Sequence, residues 1–260
     1  MSQQFASSLL NRTDHRPYPV ESNPWALSME WHDLLFMHWA VPANSIRSLI
    51  PEGLELDLFD GKAWLGVVPF DMRNVRPHLL PSVPWLSNFP ELNLRTYVTS
   101  RDAERRPGVW FFSLDARNPV AVRLARATFN LPYFDAEMSC EVKGGSVHYK
   151  SKRTHKGAAS ADFVGRYKPI GETQKGGDDL THFLTERYCL YSANSRGEVR
   201  RGEIHHELWS LQPAELDLET SYSAMTEQIG VTLPRERPLL HFSKRLDVLA
   251  WLPHKVNAKR

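Results

Sequence analysis

The stretch that decides the fold is WFFSLDARNPVAVRLARATFNLPYFDAEM, which runs from Trp110 to Met138. It opens with an almost wholly apolar segment that is typical of a buried strand. Asn118 then supplies a favoured helix cap, and Pro119 occupies the first helical position, where a missing N–H costs little. Pro132 and the aromatic residues after it indicate a turn into a second strand. The stretch predicts a strand, a capped helix and another strand, and the helix is expected to bury Val120, Ala121, Leu124 and Thr128.

Strand patterns dominate the chain on both sides of this unit. Leu54 to Phe70 predicts a hairpin, because Asp60-Gly61 favours the left-handed backbone of a tight primed turn. Asp178 or Asp179 is expected to cap a second helix. Further strands are predicted at 34–41, 92–99, 137–142, 145–153, 161–167 and 204–211, with short helices at 43–49 and 221–229. Many strands and few helices favour a mainly β fold with flanking helices and a barrel-like core.

The pattern predicts a single domain over residues 25–253. A polar, proline-containing arm at 1–24 precedes it, and a short tail at 254–260 follows it. With 260 residues and 42% hydrophobic content, the chain is long and apolar enough to bury a full core.

Composition excludes several classes of function. The formal net charge of +2 is too small to indicate a nucleic-acid partner. No apolar run approaches the roughly 18 residues of a membrane span. The first residues also lack the basic start and apolar run of a signal peptide. Since the chain has only two cysteines, these features predict a cytoplasmic protein without a disulfide framework.

No cofactor and no metal are expected. The sequence contains neither a GxGxxG nor a GxxxxGK[ST] loop, so nucleotide binding by those loops has no support. His205 and His206 are adjacent, and on a strand they would point to opposite faces and could not share one metal ion. The expected partner is a small-molecule ligand, because a polar strand face is predicted below.

Three segments carry a resemblance to a known family: the Trp110–Met138 stretch, LLFMHWAVP at Leu34–Pro42 and FPELNLRTYVTS at Phe89–Ser100. They resemble the YqjF-like family of uncharacterised bacterial proteins, domain of unknown function 2071. That family lies beside acetoacetate decarboxylase in one fold superfamily. The resemblance implies a curved sheet that closes around a central cavity. Because members of the superfamily form oligomers, it also leaves a homo-oligomer open.

The turn after the predicted helix indicates whether the chain carries a Schiff-base lysine. In the decarboxylase, the equivalent turn carries a Schiff-base lysine next to a second lysine, and the adjacent lysine together with burial lowers the pKa of the first one so that it is a free amine. Here the turn is Asn130-Leu131-Pro132-Tyr133-Phe134-Asp135, without a lysine. The resemblance therefore implies a protein that is not a Schiff-base decarboxylase. Tyr133 is a candidate for donating a hydrogen bond or a proton, and the alternative is a core tyrosine bonded to a backbone carbonyl.

The strand at 92–99 carries the ligand-binding candidates. Glu91, Asn93, Arg95 and Tyr97 alternate with apolar residues and share one face. If the leucines opposite them pack outward under helices, these side chains project into the barrel. Arg95 there would hold a carboxylate or enolate, and burial would demand Glu91 or a bound anion as its partner. The resemblance adds that this strand aligns with a decarboxylase strand bearing an active-site glutamate, at or next to Arg95. The alternative is a solvated face, with Leu92, Leu94 and Val98 toward the core.

Two hypotheses for the function follow. In the first, the protein is an enzyme that acts on a small carbonyl or carboxylate compound, which Arg95 anchors while Tyr133 or His38 moves a proton. His38 lies beside Trp39 and is a base in this reading, or a wall residue in the alternative. In the second, the protein binds a small hydrophobic or acidic molecule without turning it over. A third alternative is that side chains fill the cavity and the fold serves only as a surface for a partner.

Overall fold

Fourteen strands and four α-helices follow one another along residues 3–256, the part of the chain that the computed structural model describes. The helices are α1 (Gln3–Leu10), α2 (Pro84–Ser87), α3 (Pro119–Phe129) and α4 (Asp179–Thr185). The strands are β1 (Leu27–Val41), β2 (Leu54–Leu56), β3 (Ala63–Pro77), β4 (Phe89–Ser100), β5 (Pro107–Ala116), β6 (Tyr133–Lys143), β7 (Ser146–Arg153), β8 (Asp162–Pro169), β9 (Gln174–Lys175), β10 (Cys189–Ala193), β11 (Val199–His205), β12 (Ser210–Leu218), β13 (Leu239–Ala250) and β14 (His254–Lys255).

The strands pair into a closed ring in the order β5, β6, β7, β8, β12, β13, β1, β3 and β4, and β4 pairs with β5 to complete it. A second circuit shares β13, β1, β3, β4 and β5 with this ring. It closes through β10, which pairs with β5, and β11, which pairs with both β10 and β13. The prediction of a mainly β fold with flanking helices is confirmed.

Apolar side chains fill the inside of the ring. Leu92 and Leu94 of β4 face inward and pack with residues from the other ring strands, among them Met37, Tyr149, Phe163, Tyr167 and Phe242. The condition under which the sequence placed the polar residues of β4 inside the barrel, leucines that pack outward under helices, is therefore not met. Because strand side chains alternate, the polar residues of β4 lie on the opposite face, within the second circuit.

The strand–helix–strand unit has the predicted order. β5 and β6 run parallel, and α3 makes the crossover that a parallel pair requires. The Asn118 side chain accepts hydrogen bonds from the backbone N–H groups of Val120 and Ala121, as its capping role predicts. The predicted buried stripe is wrong: Val120 and Leu124 are exposed, whereas Val122 and Phe129 are buried. Apolar residues lie all round this short helix, so tertiary packing selects the face that is covered.

The hairpin prediction is correct for the turn and wrong for one strand. Asp60 and Gly61 have φ values of 49° and 72°, the left-handed pair that a primed turn requires. β3 pairs with β4 only as far as Thr96, and β2 pairs with the rest of β4, at Val98–Ser100. β2 therefore pairs with β4 instead of folding back onto β3.

The segments at both ends of the chain contact the sheet. Ala6 and Leu9 of α1 pack against Trp25 and Trp251, and β14 pairs with β11. The predicted short helices at 43–49 and 221–229 are 3-10 turns, and the strand predicted at 204–211 is divided between β11 and β12. Residues 1–2 and 257–260, which belong to the predicted arm and tail, lie outside the described residues. Within residues 3–256, no helix has the length and apolar character needed to cross a membrane.

Candidate functional site

Three residues form a row across three neighbouring strands on the side of the sheet away from the ring interior. Gly66 of β3 pairs with His38 of β1 on one side and with Arg95 of β4 on the other. A Cβ atom at Gly66 would lie 3.2 Å from the His38 ring and 3.3 Å from Cγ of Arg95. The absence of a side chain at Gly66 therefore lets the imidazole and the arginine stem approach each other from both sides.

The hydroxyl group of Tyr97 joins His38 to Arg95. Nε2 of His38 lies 2.6 Å from the Tyr97 hydroxyl, and Nη2 of Arg95 donates to the same oxygen over 3.4 Å. Burial, reinforced by Arg95 and His241, holds the pKa of His38 well below 6.5, so the imidazole is neutral. The Tyr97 hydroxyl group accepts from Arg95 and can donate to Nε2 of His38, in which case the neutral imidazole carries its proton on Nδ1. We call His38, Arg95 and Tyr97 the cationic pole.

Arg95 is buried without a counter-ion. Its residue surface is 9% exposed, and its guanidinium lies 5.1 Å from the ring centre of Phe36 and 5.7 Å from that of Tyr97. Within residues 3–256, no carboxylate oxygen lies within 4.0 Å of this guanidinium. Its Nε–H group is buried and has no acceptor. The site thus contains a permanent positive charge that the described protein does not neutralise.

A second pair of polar residues lies further along the same face. The Tyr133 hydroxyl group donates to Oε2 of Glu91 over 2.8 Å. Burial raises the pKa of Glu91 to about 7, with a smaller contribution from Asp115, while hydrogen bonds from Tyr133 and Asn93 oppose that rise. Burial and the neighbouring Glu91 raise the pKa of Tyr133 well above 10. We call Glu91 and Tyr133 the acidic pole; Asn93 lies between the two poles on β4.

Aromatic residues from α4 and the segment before β12 cover this face. Phe183 packs on Tyr97 with ring centres 5.5 Å apart, and Trp209 packs edge-on against Phe36 at 4.9 Å. Trp209 is fixed by a hydrogen bond from Nε1 to the carbonyl of Thr185. Arg187 lies over the Tyr97 ring at 5.0 Å. Since these groups exclude bulk water, charges on the face interact through a medium of low dielectric constant.

Several buried polar atoms on this side of the sheet have no hydrogen-bond partner. They are Nδ1 of His38, Oδ1 of Asn93, Nε of Arg95, Nε1 of Trp31 and Trp64, Nδ1 of His241 and Oγ of Ser243. Such atoms are rare in proteins, because leaving one unpaired costs free energy comparable to a lost hydrogen bond.

The structure brings all six predicted site residues to one face. The alternative of a solvated strand face is wrong, because Glu91, Asn93, Arg95 and Tyr97 are buried. The alternative partner for Tyr133 is wrong as well, since its hydroxyl group contacts a carboxylate and not a backbone carbonyl. Sequence reasoning missed the covering residues Phe183, Arg187 and Trp209 and the small residue Gly66. The sequence signal that could have identified Gly66 is its position as a glycine within an otherwise apolar central strand.

A wide cleft of about 770 Å³ lies elsewhere, between β7, β8, β12 and the start of β13. Its lining contains none of the six predicted residues. Its basic side chains Arg166 and Lys168 are paired with Asp217 and Glu215. Lys143 and Arg237, the other lysine and arginine of the lining, are exposed, so this cleft contains no buried cation comparable to Arg95.

Solved structures with this fold include enzymes. Acetoacetate decarboxylase from Legionella pneumophila superposes with a TM-score of 0.58 at 12% identity, covering 96% of this chain and 95% of that one. The enduracididine biosynthesis enzyme MppR, solved in complex with pyruvate, superposes with a TM-score of 0.59 at 12% identity, and the match covers 94% of each chain. At this level of identity, the similarity shows an acetoacetate-decarboxylase-like fold.

Sequence comparison gives a nearer relationship. The uncharacterized protein YqjF of Bacillus subtilis is 42% identical over 246 residues, which cover 94% of this chain and 98% of that protein. The model of the DUF2071 family, described as an uncharacterized conserved protein, matches residues 28–247. The matched residues include His38, Arg95 and Tyr97 of the cationic pole and Glu91 and Tyr133 of the acidic pole. The chain therefore belongs to the DUF2071 family.

Proposed function

We propose that the face formed by the two poles binds a small carboxylate or carbonyl compound, and that Arg95 holds its negatively charged oxygen atoms. The observation that carries this proposal is the buried guanidinium of Arg95, which lacks a carboxylate partner within the described residues. A buried charge of this kind has an effective desolvation cost of several kcal/mol unless another charge and hydrogen bonds compensate it. A carboxylate ligand supplies both, because its two oxygen atoms match the planar donors of arginine.

The donors of the cationic pole support an anionic ligand. Nε of Arg95 and Nδ1 of His38 are both buried without a hydrogen-bond partner, and only Gly66 separates the two side chains. In this proposal Nδ1 of His38 carries the imidazole proton and donates a hydrogen bond to the ligand, and the low pKa of the ring makes His38 a poor proton acceptor. Two convergent donors beside a fixed positive charge favour an anion over a neutral or cationic compound.

The compound is bound without a covalent imine. The turn from Asn130 to Asp135 contains no lysine. All lysines of the described residues are exposed, namely Lys62, Lys143, Lys150, Lys152, Lys156, Lys168, Lys175, Lys244 and Lys255. An amine that forms a Schiff base at neutral pH needs burial or a neighbouring cation to lower its pKa. The pyruvate complex of MppR, which has the same fold, supports a small keto acid as the ligand class.

A ligand screen by thermal shift tests the proposal. Acetate, pyruvate, longer keto acids and aromatic carboxylates are titrated against the wild-type protein and Arg95→Met. Arg166→Met, which removes an exposed guanidinium paired with Asp217, is the matched control. We expect at least one carboxylate to raise the Tm of the wild-type protein and of the control by mass action, and to lose this effect in Arg95→Met. A carboxylate that stabilises Arg95→Met as well as the wild type would contradict the proposal.

A further inference from the structure

We propose that the protein binds the surface of an anionic lipid bilayer through one patch, formed by residues 72–90 and 116–134. The contact is peripheral, and it differs from the membrane span that the sequence excludes. Apolar side chains of the patch enter the boundary between lipid headgroups and acyl chains, and arginines beside them contact lipid phosphate groups. Binding to the bilayer does not require the ligand proposed above for Arg95.

Exposed apolar side chains are concentrated in these two segments. Within residues 3–256, twelve large apolar residues are exposed, and half of them belong to the patch, namely Leu79, Leu80, Val83, Trp85, Val120 and Leu124. Leu79 and Trp85 are each 67% exposed. The other six lie singly in separate parts of the chain, which is normal for a folded protein. A cluster of exposed apolar residues, in contrast, marks a contact surface.

Helix α2 brings Trp85 next to α3. Nδ2 of Asn118, the cap residue of α3, donates to the carbonyl group of Trp85 over 2.8 Å. Val120 and Leu124 follow on α3 four residues apart, so they share one face of that helix. The sequence predicts that this face is buried, but the structure leaves both side chains exposed. The exposed apolar residues of α2 and α3 thus adjoin each other at the Asn118 hydrogen bond.

The loop between β3 and α2 continues the patch. The backbone N–H group of Asn74 on β3 donates over 3.0 Å to Oδ1 of Asn88, which directly follows α2, so this helix lies along the end of the strand. Leu79 and Leu80 lie within three residues of the same strand end, a reach of at most about 11 Å. Nη1 of Arg76 donates to the carbonyl group of Leu80 over 3.4 Å and holds the loop there.

The composition of the patch is basic. Residues 72–90 and 116–134 contain five arginines and no aspartate or glutamate. At the average frequency of this chain, which has 30 acidic residues in 260, about four carboxylates would be expected in two stretches of this length. The patch therefore lacks the mixture of both signs that covers an ordinary protein surface.

The positive charge is only partly neutralised by neighbouring residues. Arg73 and Arg123 are paired with Asp71 and Asp135, which lie at the margins of the two segments. The arginines that give the patch its excess of positive charge are Arg76, Arg117 and Arg126. Within residues 3–256, no carboxylate oxygen lies within 4.0 Å of the guanidinium group of Arg117 or Arg126. The patch thus combines exposed apolar groups with an excess of positive charge.

This combination favours a bilayer over a second copy of the chain. A two-fold contact through the patch would set the arginines of one protomer against those of the other, which is unfavourable. An anionic bilayer supplies phosphate groups for the guanidinium groups and an apolar layer for the side chains between them. It also accepts Trp85 and the leucines without pockets of matching shape, and tryptophan is the residue that membrane interfaces favour.

Co-sedimentation with lipid vesicles tests this assignment. The vesicles contain phosphatidylcholine alone or mixed with phosphatidylglycerol. We expect the wild-type protein to bind the mixed vesicles, to bind phosphatidylcholine alone much more weakly and to dissociate as the salt concentration rises, because salt screens the attraction. Trp85→Ala should lose about tenfold in affinity, since no indole then enters the bilayer. Leu252→Ala, at a leucine that is 60% exposed outside the patch, is the control.

A second pair of variants tests the charge of the patch. Arg117→Gln combined with Arg126→Gln should weaken binding to the mixed vesicles by about fivefold for each arginine. Arg235→Gln combined with Arg237→Gln, which removes two exposed arginines outside the patch, should leave the affinity nearly unchanged. Thermal unfolding of each variant shows whether the fold is retained, and we expect Tm values close to that of the wild type because the altered side chains are exposed.

Binding to mixed vesicles that the patch variants lose and the controls keep supports the assignment. A wild-type protein that does not bind mixed vesicles overturns it, and so do patch variants that bind as tightly as the wild type. Sedimentation velocity without lipid tests the other partner: an oligomer that Trp85→Ala dissociates would assign the patch to a second copy and overturn lipid binding. Because the samples contain no carboxylate ligand, none of these outcomes depends on Arg95.

Discussion

Gly66 lies directly opposite Arg95 in the register of β3 and β4, and a methyl group on Gly66 would come within 3.3 Å of the Cγ atom of Arg95. The same methyl group would press on the His38 ring from the other side. The geometry of the cationic pole thus depends on a glycine, which has no side chain of its own to contact a ligand.

Gly66→Ala should weaken ligand binding more than it weakens the fold. The added methyl group displaces the Arg95 and His38 donors by a few tenths of an ångström, and we expect a loss of affinity of about tenfold. Isothermal titration with the best carboxylate measures it. Gly202→Ala is the control, because its methyl group meets Pro253 at a similar 3.3 Å on β11. Equal affinities for the two variants would show that Gly66 does not shape the site.

Arg95→Met should leave the free energy of unfolding unchanged or raise it by about 1–2 kcal/mol, because it removes a buried charge that has no counter-ion in the described protein. Arg153→Met should instead lower it by about 3–5 kcal/mol, since Asp115 would lose the two hydrogen bonds of a buried ion pair. Urea unfolding of the ligand-free proteins measures both changes. A loss for Arg95→Met as large as that for Arg153→Met would make Arg95 a structural residue.

The stability of the protein should depend on pH through Glu91. Its folded pKa of about 7 lies above the ordinary 4.5, so the folded state binds the proton more tightly than the unfolded state does. This contribution to stability is fully present below pH 4.5 and is lost as the pH rises towards 7. The loss amounts to about 3 kcal/mol. Urea unfolding between pH 5 and 8 should therefore show the wild type losing stability relative to Glu91→Gln as the pH rises. Parallel curves would contradict the raised pKa.

Borohydride treatment should leave the mass of the protein unchanged in the presence of keto acids. An imine between a lysine and a carbonyl compound is reduced to a stable adduct, whereas a ligand held by Arg95 alone dissociates. Intact-mass spectrometry of the treated protein measures the result, and a lysine-dependent acetoacetate decarboxylase treated in the same way is the control. A stoichiometric adduct would show that one of the exposed lysines reacts and would exclude imine-free binding.

The local sequence was sufficient to predict those features that depend only on neighbouring residues. The Asn118 cap of α3 and the left-handed turn at Asp60-Gly61 were predictable, because each depends on neighbouring residues alone. The alternation of β4 was predictable as well, and it placed Glu91, Asn93, Arg95 and Tyr97 on one face before the fold was known. Tyr133 was singled out by its place in the turn, although its partner was predicted incorrectly.

Tertiary structure decided which residues pack against each face of β4. Both faces are buried, since Leu92 and Leu94 face the ring interior while the polar side chains face the second circuit. A period of two residues shows which side chains share a face, but it cannot say what lies against that face. That depends on pairings between strands distant in sequence, such as β11 with β13. Trp209 and Phe183 enter the site through such contacts.

The sequence by itself determined the identity of the polar residues, their shared strand face and the order of strand, helix and strand. Only the tertiary structure decided that Arg95 is buried without a carboxylate and that Glu91 is held by Tyr133 from a strand 42 residues away. The physical reason is that alternation and capping arise from neighbouring residues, whereas burial and charge pairing arise from chain segments that meet only after folding.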